Sequence, residues 1–303
     1  MNVDRSNWIY RQKFYENIFL AASIFFLIVS ATILGALLFD LVRSGASRLS
    51  WTLFSSFPSR FPEKAGILSA WVGTLLVMLV TSLTAIPLGV AAGIYLEEYA
   101  PKNRLTALIE INISNLAGVP SIVFGLMALG IFVYKLSLGQ SVLSAGLTLA
   151  LLILPIIIVT TREAIRAIPL SIREGAYALG ATKWQVTKDH VLPYSSGGIL
   201  TGIIIALSRA IGETAPLVTI GALTFIAFLP GSPVQAAPPF INFEWLTSPF
   251  TVLPIQMFNW ISRPDPEFHK NAAAAGLVLL LITLSLNAIA IFLRIRFRRR
   301  VRW

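Results

Sequence analysis

The chain has 303 residues, 56% of them hydrophobic and 13% charged, with a formal net charge of +10 and a mean hydropathy of +0.76. Soluble domains carry about 25% charged residues, so this composition argues against a soluble enzyme and for an all-α, polytopic membrane bundle. Zero Cys excludes disulfides and thiolate metal or haem sites, and the two histidines, His190 and His269, stand too far apart to suggest a metal centre; no cofactor is expected.

In chain order, a polar tail (1–16) leads to six stretches that meet the roughly 20-residue requirement for crossing a bilayer as helix. They are 17–42, 71–96, 113–134, 141–161, 197–228 and 272–293, followed by a basic tail (294–303). The first is too long for a signal-peptide core and lacks a convincing cleavage site, so it is expected to be retained. Pro87, Pro120, Pro155 and Pro216 fall inside these spans, where a missing amide and a ring clash kink or break a helix. Gly118, Gly125, Gly130 and Gly212 allow close helix approach, although membrane helices also tolerate both residue types without special purpose. Asn112 and Asn115 are read as caps or interhelical hydrogen-bonding groups. Trp245 and Trp260 are read as interface anchors; the long segment 229–270 is read as a folded cap over a pore or a contact for an extracytoplasmic binding protein, with an apolar stretch at 252–261 lying at the interface as the alternative.

Sixteen of the 24 Lys and Arg fall on one side of the six spans, seven on the other, and Arg209 within a span. The positive-inside rule then puts both termini in the cytosol. Anionic lipid, not nucleic acid, accounts for the basic residues, since they sit beside apolar spans rather than on one polar face.

The loop between the fourth and fifth spans (162–196) is cytosolic on this count. Ser171-Ile-Arg-Glu174 and Thr182-Lys-Trp-Gln185 both read as capping boxes. Gly180 supplies a left-handed stop between two short helices, and Pro193 is expected to end the second. Ala176, Tyr177, Leu179 and Trp184 would form an apolar contact face for another protein.

Arg209 lies about 18 Å along the fifth span counted from Gly197, near the middle of a hydrocarbon core about 30 Å thick. Glu213 follows at i+4. An ionisable residue at that depth faces a pathway or a partner; the alternative, compatible with it, is a structural ion pair. A guanidinium suits an oxyanion. An ionised carboxylate only accepts hydrogen bonds, so it favours an anion that still carries a proton, such as phosphate, over sulfate.

The loop resembles the EAA signature of permease subunits of bacterial ABC importers. Glu174, Ala176, Gly180, Leu192 and Pro193 match; Gly175 replaces the first Ala, and His190 replaces an aliphatic residue. Gly costs a helix about 1 kcal/mol relative to Ala. The resemblance implies a coupling helix made by Glu174, Gly175, Ala176, Gly180, Leu192 and Pro193. Ser208-Arg-Ala-Ile-Gly-Glu-Thr-Ala-Pro-Leu217, Leu116-Ala-Gly-Val-Pro-Ser-Ile-Val-Phe-Gly-Leu126, Tyr95-Leu-Glu-Glu-Tyr-Ala100 and Leu253-Pro-Ile-Gln-Met-Phe-Asn-Trp260 resemble the PstA-type permeases of phosphate ABC importers. That family implies a type I importer permease fold and a substrate pathway through Arg209 and Glu213. The partners it implies are a PstC-like second permease, a pair of PstB-like ATPases and a PstS-like phosphate-binding protein. The chain has no G-x-x-x-x-G-K-[ST] loop, so ATP hydrolysis is expected on a partner. A sulfate or molybdate permease and a proton-coupled secondary transporter are the alternatives.

Overall fold

The computed structural model describes residues 3–233 and 242–298; parts of the segment between the fifth and sixth spans (234–241) and of the basic tail (299–303) lie outside them. Long apolar runs in lipid must satisfy their backbone groups internally and so fold as helix. No strand occurs among the described residues. The helices are α1 (Val3–Gly45), α2 (Trp51–Ser55), α3 (Leu68–Ile94), α4 (Arg104–Leu116), α5 (Ser121–Ala128), α6 (Val142–Arg166), α7 (Leu170–Ala178), α8 (Lys183–Gln185), α9 (Leu192–Ile211), α10 (Ala215–Thr219), α11 (Leu253–Ile261) and α12 (Pro266–Arg298). Wider π-turns continue three of them: Tyr95–Tyr99 extends α3, Leu129–Lys135 extends α5, and Val186–Val191 joins α8 to α9. Side-chain caps start α2, α4, α6 and α8, those of α4 and α6 with the shorter bonds. Asn103 Oδ1 accepts from the Thr106 amide at 2.9 Å and Ser141 Oγ from the Ser144 amide at 3.2 Å.

Five helical runs are long and apolar enough to cross a membrane: Arg11–Arg48, Leu68–Tyr99, Val142–Arg166, Lys183–Ile211 and Pro266–Arg296. The sixth candidate is not the straight helix expected over 113–134. It is a pair, α4 against α5 with its π-turn, bent by 106°. Pro120 explains the break, since it disfavours helical geometry at Val119 and stands at the N-cap of α5. The fifth run also departs from expectation. It stops at Ile211 rather than continuing to 228, with Gly212 as C-cap and Pro216 opening the short α10.

Helix α6 packs between α3 and α9 at the centre of the bundle. In lipid, helices gain little from apolar burial against each other, so contact depends on close approach at small residues. A Cβ on Gly89 would stand 2.7 Å from Ile157 Cγ2, and one on Gly93 the same distance from Thr161 Cβ. Across the other face of α6, a Cβ on Gly198 would stand 2.6 Å from Ala164 Cβ, and one on Gly202 would overlap Thr160. Thus α3 and α9 each present a Gly-x-x-x-Gly step to α6. Of the glycines expected to permit close approach, Gly125 does so, against Pro216 and Thr219 of α10; Gly130 and Gly212 face open space, and Gly118 has only Asn115 O nearby, at 3.5 Å.

Helix α12 flanks α9 and carries α1 and α11. The apolar stretch of α1 is exposed, and its C-terminal end docks where a Cβ on Gly45 would be 2.7 Å from the Ala273 backbone. Helix α11 is packed into the bundle rather than lying at an interface, with Leu253, Ile255, Gln256 and Trp260 all buried. Trp260 is fully inaccessible and Trp245 is 7% exposed, so neither is an interface anchor. The bundle closes over both rings. Asn112 hydrogen-bonds only within its own helix, to Leu108 O at 2.8 Å.

Candidate functional site

The loop between α6 and α9 is built from local signals and one long-range anchor. The expected Ser171–Glu174 capping box does not form. Helix α7 begins two residues earlier than that box requires, with Pro169 as N-cap, so Ser171 is already inside the first turn and both side chains are exposed. The Thr182–Gln185 box does form: Thr182 Oγ1 accepts from the Gln185 amide at 3.4 Å, and the Thr182 amide donates to Gln185 Oε1 at 2.8 Å. Gly180 has φ +83°, a left-handed conformation that costs other residues about 1–2 kcal/mol. Its turn is closed by the Ala181 amide donating to Ala176 O at 3.1 Å. Pro193 does not end a helix as expected. It opens α9 directly after the Val186–Val191 π-turn, so α8, that turn and α9 form one run. A π-turn accommodates the missing amide and the ring that would otherwise strike the carbonyl four residues back.

Helix α7 has two faces. Ala176 is turned inward among Ile165, Ile168, Val186 and Val191, so it does not belong to the outer contact face. Leu170, Tyr177, Leu179 and Trp184 point outward, with Leu179 90% exposed. Glu174 and Gly175 are exposed beside them, while Leu192 and Pro193 are half-buried at the foot of α9.

The long-range anchor is Arg173. Its Nη1 donates to Ile168 O at 2.8 Å and its Nη2 to Ile165 O at 2.9 Å, binding one carbonyl in the last turn of α6 and one just past it. The same guanidinium meets Glu98 Oε1 through Nε at 3.1 Å and Nη2 at 2.9 Å. Next to it, Arg166 grips Glu97 at two points, 3.0 and 3.3 Å. Arg162 sits between Glu97 at 3.5 Å and Glu110 at 2.8 Å. Glu97, Glu110, Arg162 and Arg166 line a cleft of about 390 Å³ with Lys102 and Asn103. Glu97 and Glu98 were not singled out from the sequence. The available signal was two adjacent carboxylates at the end of a span, followed in the chain by a basic loop.

Arg209 is exposed in the last turn of α9 and makes no hydrogen bond or ion pair among the described residues. Its neighbours Ala210 and Ile211 border a small void shared with Val77 of α3 and Leu149 of α6. Those residues lie roughly two turns in from the N-terminal ends of their helices, so Arg209 sits about 10–13 Å along the span. Glu213 is half-buried and lies past the end of α9, its amide donating to Ala210 O at 3.2 Å. The i+4 relation assumed for the two is therefore broken, and no ion pair joins them. No group of three or more His, Cys, Asp or Glu suited to a metal occurs among the described residues.

A family profile described as "Binding-protein-dependent transport system inner membrane component" matches residues 85–303. The chain belongs to this family. Membership makes this permease a transport component that acts with a binding protein and an ATPase, not an enzyme. Among curated relatives, it is 32% identical over 252 residues to the phosphate transport system permease protein PstA of Haemophilus influenzae, covering 83% of this chain and 89% of that protein. It is 35% identical over 246 residues to PstA of Yersinia pestis, covering 80% of this chain and 77% of that one. A probable ABC transporter permease protein of Bacillus subtilis, YqgI, is 31% identical over 255 residues, 82% and 85% of the two chains. Among solved structures, an ABC transporter involved in import of the polysaccharide alginate aligns with TM-score 0.61 at 14% identity, over 97% of this chain and 99% of that one. The inward-facing MetNI methionine ABC transporter aligns with TM-score 0.55 at 18% identity, over 76% and 94%. The permease is thus a multi-pass membrane protein with an ABC importer permease fold.

Proposed function

We propose that this permease forms the membrane path for inorganic phosphate in an ATP-driven importer. Arg209 attracts the anion and Glu213 accepts a hydrogen bond from the hydroxyl that phosphate retains near neutral pH. The observation that carries this reading is Arg209 itself: an exposed guanidinium, unpaired among the described residues, on a run apolar enough to cross a membrane. Lipid is a costly neighbour for such a group, so it faces a polar route or another chain. The curated relatives named as phosphate transport permeases support phosphate as the substrate. A PstC-like second permease would complete the route, a PstS-like protein would deliver phosphate, and a pair of PstB-like ATPases would bind the outer face of the α7–α8 loop through Leu170, Tyr177, Leu179 and Trp184. On this reading both termini and the loop at Glu174, Gly175, Ala176, Gly180, Leu192 and Pro193 are cytosolic.

The test is uptake of labelled phosphate by cells expressing the four subunits, with excess sulfate as competitor and with an uncoupler or ATP depletion applied separately. Uptake that resists sulfate, survives the uncoupler while ATP is maintained, and stops on ATP depletion is expected. Uptake that collapses with the proton gradient while ATP stays high would make the chain a proton-coupled carrier instead.

A further inference from the structure

Glu97, Glu98 and Tyr99 follow one another on the π-turn that ends α3, yet their side chains reach three different elements. Glu97 holds Arg166 and Arg162 of α6. Glu98 holds Arg173 of α7. The Tyr99 hydroxyl donates to Thr187 Oγ1 at 3.3 Å, in the π-turn that leads into α9, and Lys183 Nζ stands 5.1 Å from the centre of the Tyr99 ring. A π-turn is wider than an α-turn and splays successive side chains differently. Here it aims them at α6, α7 and the foot of α9.

The central member is the most enclosed. The side chains of Arg173 and Glu98 are 13% and 7% exposed. Arg173 also binds the two carbonyls at and just past the end of α6, so one guanidinium ties α6, α7 and the end of α3 together. Its planar fork fixes direction as well as distance. Buried ion pairs are weak evidence for stability, because apolar residues of similar volume often serve as well. A role in setting relative position accounts better for a pair that joins three chain segments.

The covalent path explains why such a tie is needed. The docking loop continues into α9 through α8 and its π-turn, and into α6 through residues 167–169. Helix α3 has no chain connection to the loop. Motion imposed on α7 reaches α3 directly through these side-chain contacts, beside the indirect route through α6, which packs against α3.

We infer that Glu97-Glu98-Tyr99 is a clasp, with the Glu98–Arg173 pair as its strut, that makes the end of α3 move with the docking loop. This rests on the proposed ATP-driven reading and deepens it: Glu98 and Arg173 are positioning residues for transport, touching neither substrate nor nucleotide. Loosening the strut leaves the motor turning while the bundle follows incompletely.

The experiment uses the whole transporter, with its partner permease, ATPases and phosphate-bound binding protein, in proteoliposomes. Phosphate moved per ATP hydrolysed is measured for wild type, Glu98→Ala and Glu98→Gln. The Gln variant keeps the side-chain volume and one acceptor, guarding against misassembly of the Ala variant. With assembled complex normalised and KM for ATP unchanged, phosphate per ATP is expected to fall roughly fivefold or more in Glu98→Ala, the lower end of typical coupling between sites. Glu98→Gln is expected to fall between Glu98→Ala and wild type. An unchanged ratio in both variants, or a loss confined to the yield of complex, would overturn the clasp. Wild-type uptake that consumes no ATP would instead overturn the reading beneath it.

Discussion

Two glycines on the same turns of α9 give a sharp test of how the bundle is held together. At Gly202 an added Cβ would overlap Thr160 Oγ1 and stand 2.5 Å from Thr160 Cβ; at Gly197 nothing lies within 4 Å. Carbon atoms in ordinary contact are about 3.5–4.0 Å apart, so Gly202→Ala must drive α9 and α6 apart by about 1 Å or twist them. Overpacking of this kind costs about 1–3 kcal/mol. Replacing Gly by Ala in a helix returns about 1 kcal/mol. That return is common to both sites, so it cancels when the two variants are compared. Gly197→Ala is expected to stabilise slightly, and Gly202→Ala to fall below it by about 1–3 kcal/mol. Denaturant or thermal unfolding of the purified permease in detergent measures the difference. Equal stability of the two variants would refute the close approach of α6 and α9 as the basis of the central packing.

Three further outcomes concern the loop between α6 and α9. Gly180→Ala places a Cβ at φ +83° and is expected to cost about 1–2 kcal/mol locally, seen as faster hydrogen exchange of the Ala181 amide. Thr182→Ala removes a formed capping box and is expected to lower local stability by about 1 kcal/mol in the same measurement, whereas Ser171→Ala, where no box forms, leaves it unchanged. Leu179→Asp, at a side chain 90% exposed, is expected to change unfolding by less than about 0.5 kcal/mol while weakening ATPase association at least about tenfold, a loss readable by titration of the ATPase onto the permease.

What could be read from the sequence was mostly local. Thr182, Gln185 and Gly180 carry their geometry in a few neighbouring residues, and they adopt it. Ser171 was misread because Pro169 takes the N-cap position two residues earlier, and Pro193 because a π-turn absorbs it. The helical bundle was legible from apolar length alone, but its breaks were not. Pro120 and Pro216 were read as kinking or breaking a span; both break it, opening new helices after Gly-containing turns. The packing glycines could have been found by spacing, since Gly89-Val-Ala-Ala-Gly93 and Gly198-Ile-Leu-Thr-Gly202 both carry the small-x-x-x-small pattern. The carboxylates were harder. Glu97 and Glu98 meet Arg166 and Arg173 across 69 and 75 residues of chain, a pairing that no local pattern encodes. Burial of Trp245 and Trp260 likewise depends on how the segment between the fifth and sixth spans folds back onto the bundle.

The central claim is that Arg209 serves the passage of phosphate and not the integrity of the fold. The most direct measurement compares uptake of labelled phosphate per assembled complex for wild type, Arg209→Lys and Arg209→Gln. Because Arg209 has no partner among the described residues, assembly and unfolding temperature are expected to stay unchanged. Uptake is expected to fall about 30-fold or more in the Gln variant, as for loss of a desolvated charge contact, with part of it retained by Lys. Undiminished phosphate uptake by a fully assembled Arg209→Gln complex would contradict the account.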